Sequence, residues 1–459
     1  MMRAVSVSNT RLTRCLQQGR VNGSFVDQWA KKLVLKWLKN IAVGHLTIRE
    51  HLIENRGYEY PNHASEQANS VDDQNITVYR FGEDPEKASI VADIIVHHPS
   101  AYRDVLFNGS VGSGEAYMRG SWTSLDLVMV IRLMCANMTM VEKMDRAWFS
   151  LAKFLFASLI HKIRSNNKRN ARLNIAAHYD LGNDFFRLFL DNKMMYSAAI
   201  FPNRHASLDQ AAEYKLAHIC RRLQLKATDH LLEIGSGWGG MATYAAKQYS
   251  CRVTTTTISK EQYDYTCELV KREGLEGKVT VLLQDYRNLA GQFDKLVSVE
   301  MIEAVGHKYY PLYFSTCSKL LKKNGLMLIQ AITIADQRYQ FAKNATDFIQ
   351  RYIFPGGALP SLSVIAQNVA EHSDMQMVGV EDITPHYAKT LAAWRERFMS
   401  RLEQVKQQGF DDLFIRMWEF YLCYCQGGFD LRAISTVQVL IARPQWRDPV
   451  LKTDGNISH

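Results

Sequence analysis

The chain has 459 residues, of which 47% are hydrophobic and 22% charged, and its formal net charge is +9. This composition excludes a disordered chain, and the length predicts two or three domains that each bury a core of their own. The eight cysteines include no Cys-x-x-Cys pair, which favours a reduced, cytoplasmic compartment over a disulfide-stabilised secreted protein.

The positive charge is concentrated in two short segments. Residues 1–40 carry +7 and residues 161–172 carry +5, so the other 407 residues sum to −3. This distribution argues against a nucleic-acid-binding protein and favours a local anionic partner. The chain shows no signal peptide, and its longest apolar stretch, 147–160, is shorter than the roughly 20 residues that a spanning helix needs. Any membrane contact is therefore expected to be peripheral, on the inner face.

Residues 25–42 have the pattern of an amphipathic helix. At about 100° per residue, one side carries Phe25, Val26, Trp29, Leu33, Trp37 and Ile41, and the other carries Lys31, Lys32, Lys36 and Lys39. Tryptophan and leucine opposite lysine is typical of a helix that lies in a lipid interface. A surface helix that packs its apolar side on its own domain has the same pattern, so both interpretations stay open.

The rest of the N-terminal region predicts a small α+β domain over residues 1–160. Strands are expected at 76–81 and 90–97, between glycine and proline breaks, and helices at 124–138 and 143–160. The basic, asparagine-containing stretch that follows predicts a linker over 161–174.

From residue 175 onward, strands and helices alternate. Strands are predicted at 230–234, 252–258, 279–284, 295–299 and 326–332, and helices at 241–249, 260–272 and 310–321. The last helix is expected to end at the cationic residues Lys322 and Lys323, with Gly325 as its cap. This alternation predicts a doubly wound α/β catalytic domain over 175–445, followed by a tail over 446–459.

A glycine loop, Glu233-Ile-Gly-Ser-Gly-Trp-Gly-Gly240, follows the first of these strands and opens a helix. Such loops bind dinucleotides or S-adenosylmethionine, and the glycines alone do not distinguish the two. A dinucleotide site expects an acid at the end of the second strand, where this chain has Thr255 to Ser259. Glu233 before the loop and Asp285 after the third strand instead suit the ammonium and adenine groups of S-adenosylmethionine.

Several motifs then resemble the cyclopropane-fatty-acyl-phospholipid synthases, a family that includes the mycolic acid cyclopropane synthases. They are residues 233–240, 257–262 (TISKEQ), 298–306 (SVEMIEAVG), 354–361 (FPGGALPS), 178–184 (HYDLGND), 387–394 (YAKTLAAW) and 114–120 (GEAYMRG). The resemblance covers roughly residues 75–445. It implies a Rossmann-like class I methyltransferase that uses S-adenosylmethionine to convert the cis double bond of a phospholipid acyl chain into a cyclopropane ring.

The resemblance also assigns roles to individual residues. Those expected to bind the donor are Tyr196, Ser197, Glu233, Gly235, Gly237, Trp238, Gly239, Thr257, Ser259, Gln262, Asp285, Tyr286 and Arg287. In this family the base is a bound bicarbonate, and the positions that match its site are Glu303, Tyr387, Ile332 and Gln330, with Cys425 close to the reacting groups. The resemblance implies a phospholipid at an anionic bilayer as the partner, implies no metal, and allows a homodimer.

Two departures leave the bicarbonate and the product open. Ala198 stands where the family often has cysteine, and Gln330 stands where it often has histidine. A glutamine amide can hold an anion but cannot carry a proton. The alternatives are therefore a C-methyltransferase that leaves a methyl- or methylene-branched chain, or an inactive lipid-binding module.

Each candidate also has a purely structural interpretation. Glu303 could cap free N–H groups at a helix start, and Tyr387 could be a half-buried core tyrosine. Cys425 could simply pack, and His178 is expected to orient or cap rather than act as a base. The aromatic residues at 309–314 and 414–424 are most simply core, and residues 338–360 are a candidate lid.

Overall fold

The structure, a computed structural model, describes residues 23–50, 76–143 and 181–450. The chain forms two compact units. The first holds the described residues of Met1–Ala157 together with Asp411–Phe420, and the second holds those of Ser158–Phe410 and Tyr421–His459. Nothing in the sequence pointed to the placement of Asp411–Phe420 with the first unit. The predicted linker 161–174, the basic segment inside it, His178 and nearly all of the helix predicted at 143–160 lie outside the described residues.

The first unit contains a four-stranded sheet in the order β2-β1-β3-β4. Strand β1 pairs parallel with β3 and antiparallel with β2. The strands are β1 His45–Glu50, β2 Thr77–Gly82, β3 Val91–Val96 and β4 Trp122–Thr123, and the helices are α1 Phe25–Leu38, α2 Ser100–Met118 and α3 Leu127–Ala136. The α+β character agrees with the prediction, although β1 and α2 had not been predicted.

Helix α1 begins at a capping box. The Ser24 hydroxyl accepts from the Asp27 amide, and the Asp27 carboxylate accepts from the Ser24 amide. The helix ends at Leu38, four residues earlier than predicted. Its buried side is Ala30, Val34 and Leu38, which is not the side that the apolar pattern had singled out.

The opposite part of α1 leaves large apolar side chains in solvent. Phe25 is 87% exposed, and Val26 and Trp29 are 43% and 44% exposed. Lys32 and Lys36 are exposed as well, whereas Lys31 pairs with Glu50 at 2.7 Å. Of the lysines on the predicted polar side, Lys31 is thus held by a carboxylate of the same unit, whereas Lys32 and Lys36 face solvent.

The second unit is built on a seven-stranded sheet in the order β10-β11-β9-β8-β5-β6-β7. The five strands from β9 to β7 are parallel, and β11 and β10 add antiparallel at one edge. The strands are β5 His230–Ile234, β6 Arg252–Thr257, β7 Val279–Leu283, β8 Phe293–Val299, β9 Leu321–Ile334, β10 Gln376–Asp382 and β11 Ile434–Ala442. This arrangement confirms the predicted doubly wound α/β fold.

Helices of the second unit connect and cover these strands. They are α4 Asn183–Arg187, α5 Leu208–Arg222, α6 Gly240–Gln248, α7 Lys260–Arg272, α8 Tyr310–Leu320, α9 Asp336–Asn344, α10 Leu362–His372, α11 Thr384–Met399 and α12 Leu402–Gln407, with a π-helical turn at Ile349–Ile353. The last helix is α13, Asp412–Asp430, and its residues from Tyr421 onward belong to the second unit.

Two apolar cores lie on the two faces of the seven-stranded sheet. Successive residues of a strand point to opposite faces, so Leu231 joins one core and Leu232 the other. Strand β8 does the same with Leu296 and Val297. A strand that is buried on both faces holds adjacent apolar residues, and such pairs in β5 and β8 let both strands be predicted almost to the residue.

The start of β9 corrects one prediction. Helix α8 ends at Leu320, and Leu321 already pairs with Phe293 of β8. The register then shifts so that Lys295 pairs with Leu326, and the residues between form a bulge. Gly325 therefore does not cap the helix, because the edge of β8 takes up the chain directly after the last helical turn.

Within the described ranges, no helix is long and apolar enough to cross a bilayer. Of the cysteines in those ranges, Cys220, Cys251, Cys267, Cys317 and Cys425 are free thiols. Tyr310, Tyr313 and Phe314 belong to one of the two cores, which confirms the structural interpretation of the aromatic cluster at 309–314.

Candidate active site

The glycine loop starts where β5 ends, at the carboxyl edge of the parallel strands, the edge where open α/β sheets bind ligands. Gly237 has φ +49, and a Cβ added there would meet nothing within 4 Å. Gly239 has φ +85, and a Cβ there would lie 2.8 Å from Thr266 Cγ2 of α7. Glycine is thus required at Gly239 for packing, while at Gly237 it leaves an open cradle.

Glu233 lies beside this cradle as a buried carboxyl, 3% exposed. It accepts a hydrogen bond from Thr255 Oγ1 at 2.6 Å, and burial raises its pKa to about 8. Among the described residues it forms no ion pair. A buried carboxyl with a neutral partner, next to an open glycine cradle, fits the ammonium end of S-adenosylmethionine.

Trp238 and Tyr196 line the same region with aromatic surface. The Trp238 indole donates to Asn183 Oδ1 at 2.7 Å, and its ring lies 4.9 Å from that of Phe186. The Tyr196 ring lies 5.3 Å from Phe186, and its hydroxyl is 2.9 Å from that of Tyr421. The hydroxyl of Ser197 accepts from Lys215 at 2.7 Å.

The residues expected around the ribose bond to one another. Thr257 Oγ1 donates to Gln262 Oε1 at 2.9 Å, and Ser259 caps α7 by accepting from the Gln262 amide. The three side chains are buried. They fix the loop after β6, and their contact with the donor stays a prediction.

The residues expected around the adenine also interact with one another. Asp285 accepts from Arg287 at three places, the amide and Nε at 2.9 Å and Nη2 at 2.6 Å. The Arg287 guanidinium also lies 5.8 Å from the ring of Tyr286. Asp285 is therefore oriented by Arg287, and its contact with the adenine amino group stays a prediction.

Two glutamates follow β8, three residues apart. Glu300 Oε1 accepts from the Ala198 amide at 2.9 Å and from Gln330 Nε2 at 2.8 Å, and Oε2 accepts from the Tyr387 hydroxyl at 2.8 Å. Burial raises the pKa of Glu300, while these donors and the nearby Lys215 ammonium oppose that rise. Hydrogen-bond donors from three separate parts of the chain therefore bind the same carboxylate, that of Glu300.

Glu303 has a different environment. Its Oε1 accepts from the Ile332 amide, and its buried Oε2 has no hydrogen-bond partner within the part of the chain that the structure describes. Burial and then the charge of Glu300 raise the pKa of Glu303 to about 8. A proton on Glu303 beside an ionised Glu300 avoids two like charges at close range.

Lys215 supplies the positive charge near this pair. It is fully buried in α5, and burial lowers its pKa to about 8, while Glu300 and Asp191 oppose that fall. Below that pH the ammonium favours an ionised Glu300.

Tyr387 and Cys425 lie on α11 and α13. The Tyr387 ring stacks on Phe429 at 4.4 Å and meets the edge of Trp394 at 6.1 Å. Burial raises the pKa of the Cys425 thiol, so it remains protonated. The protonated thiol fits a residue that lines the site and does not fit a base.

The predicted bicarbonate does not fit these side chains. The Ala198 amide, the Gln330 amide and the Tyr387 hydroxyl all donate to Glu300, and the Ile332 amide donates to Glu303. None of these donors is left over, and a further anion would be repelled by the adjacent carboxylate. As arranged in the structure, these residues therefore offer a bicarbonate ion no unused hydrogen-bond donor, and its use by the enzyme stays a prediction.

Sequence reasoning missed Glu300, Lys215 and Tyr421. Glu300 lay inside a quoted motif, but only Glu303 was assigned a role. The available signal was a second acid three residues away, at the carboxyl end of the same strand. Lys215 carried no local signal, because its partners are distant in sequence, and Tyr421 had been counted with the core aromatic residues at 414–424.

The family model described as "Mycolic acid cyclopropane synthetase" matches residues 166–439, more than half of the chain. Cyclopropane-fatty-acyl-phospholipid synthase of Escherichia coli is 38% identical over 359 residues, which cover 77% of this chain and 89% of that protein. Tuberculostearic acid methyltransferase UfaA1 of Mycobacterium tuberculosis is 36% identical over 358 residues, 76% of this chain and 83% of that one.

Solved structures agree with the sequence comparisons. The chain resembles cyclopropane synthase MmaA2 of Mycobacterium tuberculosis with a TM-score of 0.55 and 28% identity, over 59% of this chain and 98% of that one. Mycolic acid cyclopropane synthase CmaA1, complexed with SAH and CTAB, gives a TM-score of 0.55 and 30% identity, over 59% and 98% of the two chains.

Proposed function

The chain belongs to the mycolic acid cyclopropane synthetase family, and we propose that it converts the cis double bond of an unsaturated phospholipid acyl chain into a cyclopropane ring. It is a methyltransferase whose methyl donor is S-adenosylmethionine. The carbon of the ring would come from that methyl group.

The observation that carries the proposal is a cluster of hydrogen-bonded carboxyl groups beside the glycine loop that is expected to bind the methyl donor. Strands β5 and β8 are parallel neighbours, so the glycine loop after β5 and the two glutamates after β8 emerge at the same edge of the sheet. A ring-forming reaction needs both a methyl donor and a base in one place. This edge supplies the residues for both.

Each part of the site has a defined task in this reaction. S-adenosylmethionine, when bound, supplies an electrophilic methyl group. Glu233 would hold its ammonium group, and the cradle at Gly237 would admit its backbone atoms. The aromatic rings of Tyr196, Tyr387 and Phe429 exclude water and favour a passing positive charge on the acyl chain.

One specific observation favours a second candidate. UfaA1 carries the name of a methyltransferase, and it matches 76% of this chain, against 77% for the E. coli synthase. A C-methyltransferase that leaves a branched or methylene-bearing chain uses the same donor site and differs in which proton is removed. An inactive lipid-binding module is disfavoured because the donor loop and both carboxyl groups are intact.

We propose that the enzyme binds its phospholipid substrate at the surface of an anionic bilayer. In support, α1 exposes Phe25, Val26 and Trp29 together with Lys32 and Lys36. Apolar rings enter the interface while lysines near the surface contribute about 1 kcal/mol each to binding. A homodimer, which the sequence allows, is tested by the mass of the protein in solution.

The experiment uses the full chain, methyl-labelled S-adenosylmethionine and vesicles of unsaturated phospholipid. We expect label in the acyl chains of that lipid and none in vesicles of the saturated lipid with the same head group. Chromatographic and mass analysis of the released acyl chains separates a ring from a branched chain. Absence of label from all unsaturated lipids would contradict the proposal.

A further inference from the structure

We propose that Glu300 is the general base of this enzyme and that its carboxylate permanently occupies the position of an exogenous anion. The inference rests on the proposed function and deepens it, because it names the group that accepts the proton. It also follows that the enzyme does not need bicarbonate.

The contacts of Glu300 carry the first step of the argument. Three donors from three separate parts of the chain converge on it, namely the Ala198 amide at 2.9 Å, Gln330 Nε2 at 2.8 Å and the Tyr387 hydroxyl at 2.8 Å. A small planar anion would need the same set of donors. The carboxylate of Glu300 therefore does for the site what a bound anion would do.

The supporting amides are themselves oriented. Gln330 also donates to the Ala198 carbonyl at 3.2 Å, and its Oε1 accepts from Gln438 Nε2 at 3.0 Å. This chain of amides fixes Gln330 with its N–H toward Glu300. Gln330 is thus a positioning residue for the base.

The backbone at Glu300 gives independent support. Its φ is +48, a region that favours glycine and that few other residues adopt. Strained conformations of this kind persist where the surrounding structure holds them, and they cluster at functional sites. Here the strained residue is Glu300, whose side chain accepts hydrogen bonds from the three donors named above.

Burial raises the pKa of Glu300, while its three hydrogen-bond donors and the Lys215 ammonium oppose that rise and favour the carboxylate that can accept a proton. Lys215 lies close enough to Glu300 to favour its ionised form, whereas Glu303 has a pKa of about 8 and is mostly protonated at pH 7. The Tyr387 hydroxyl donates and keeps its proton, because burial and the charge of Glu300 raise its pKa well above the ordinary value. Of these titratable groups, Glu300 is the one placed to act as a base.

The proton-transfer step balances as follows. After the methyl group has bonded to one alkene carbon, the other carbon carries a positive charge. A Glu300 oxygen takes a proton from the new methyl group, and the electron pair of the broken C–H bond forms the second C–C bond of the ring. Glu300 becomes a carboxylic acid and returns the proton to water after the product leaves.

The test compares Glu300→Gly and Glu300→Gln with the natural enzyme in buffer freed of carbon dioxide. Glycine suits φ +48 and leaves the three donors unpaired, so added bicarbonate can take the place of the carboxylate. We expect Glu300→Gly to lose about 100-fold in rate and to regain much of it with bicarbonate. Glu300→Gln should lose as much and not be rescued, because its amide still fills the space.

The matched control is Ser250→Gly. Ser250 is exposed and has φ +57, so this change relieves the same backbone strain away from the site and should leave the rate unchanged. Melting temperature and SAH binding show that each variant is folded. A natural enzyme that needs bicarbonate, a Glu300→Gly variant as fast as the natural one without bicarbonate, or a folded Glu300→Gly variant without rescue would each overturn the inference.

A second readout does not depend on activity. Carbon-13 NMR of labelled bicarbonate should show binding to Glu300→Gly and none to the natural protein. Inactivity on every lipid, with this binding difference intact, would count against the proposed function and leave Glu300 in the anion position. Binding of bicarbonate by the natural protein would overturn the inference whatever the activity.

Discussion

Two carboxyl groups three residues apart have been given opposite environments. Glu300 accepts from three donors near an ammonium, whereas Glu303 accepts from one amide and its other, buried oxygen has no partner among the described residues. Burial raises the pKa of both, but donors and an ammonium oppose that rise at Glu300, whereas at Glu303 the charge of Glu300 adds to it and the pKa reaches about 8. Such a difference can divide acid and base roles within a site. In this site the division makes Glu300 the base and Glu303 a neutral neighbour.

Glu233 leads to a prediction about protons in donor binding. Its pKa is about 8 in the free protein, so at pH 7 the carboxyl is mostly protonated. A bound ammonium favours the ionised form and lowers that pKa, so binding should release a substantial fraction of one proton. Calorimetry of SAH binding at pH 7, in two buffers of different ionisation enthalpy, measures this release.

The control for that measurement is Glu233→Gln, which keeps the shape of the side chain and removes the titration. We expect weaker SAH binding and a heat that no longer depends on the buffer. If the heat of the natural protein is already independent of the buffer, Glu233 does not contact the ammonium group.

Among the elements, the glycine loop allows two neighbouring glycines to be compared. Alanine at Gly239 would place a Cβ 2.8 Å from Thr266 Cγ2, whereas alanine at Gly237 would meet no protein atom within 4 Å. Both positions have positive φ, which costs roughly 1–2 kcal/mol for alanine. We expect Gly239→Ala to lower the melting temperature more, because it adds a clash to that strain.

Gly237→Ala should instead act on the donor. Its Cβ enters the open cradle, so we expect SAH affinity to fall by more than the loss of stability explains. Thermal melting and SAH titration of both variants separate the two effects. Equal SAH affinity in Gly237→Ala and the natural protein would place the donor elsewhere.

Helix α1 carries the prediction about the membrane. Trp29→Glu changes a side chain that is 44% exposed, so the fold should hold while binding to anionic vesicles falls several-fold. Leu312→Glu, in α8 and also 44% exposed, is the matched control. Vesicle sedimentation at two salt concentrations measures the effect, and equal loss in both variants would argue against a specific role of α1.

The elements also show what a sequence can predict. Strands buried on both faces, such as β5 and β8, hold short apolar runs that predicted them when taken with the loops at their ends. Helix α2 was missed because it contains Gly109, Gly112 and Gly114, which disfavour helices. Packing requires glycine at position 112, because a Cβ on Gly112 would lie 1.9 Å from the Asp104 carbonyl oxygen. Such a reason appears only once the fold is known.

At the scale of the whole molecule, the site was predictable only in part. Glu303, Tyr387 and Ile332 came from motifs that are continuous in sequence. The role of Glu300 depends on Ala198, Gln330 and Tyr387, which approach it from separate elements of the second unit. The substitution at 330 looked like a loss in the sequence, and in the structure the Gln330 side chain donates to Glu300, as does the backbone amide of Ala198.

The central claim is that a proton of the transferred methyl group is removed as a ring forms on a phospholipid acyl chain. The most direct measurement is the mass of that chain after reaction with a donor whose methyl group carries three deuterium atoms. We expect a gain of one carbon with two deuterium atoms, in a product that resists catalytic hydrogenation. Retention of all three deuterium atoms, or a product that takes up hydrogen, would contradict it.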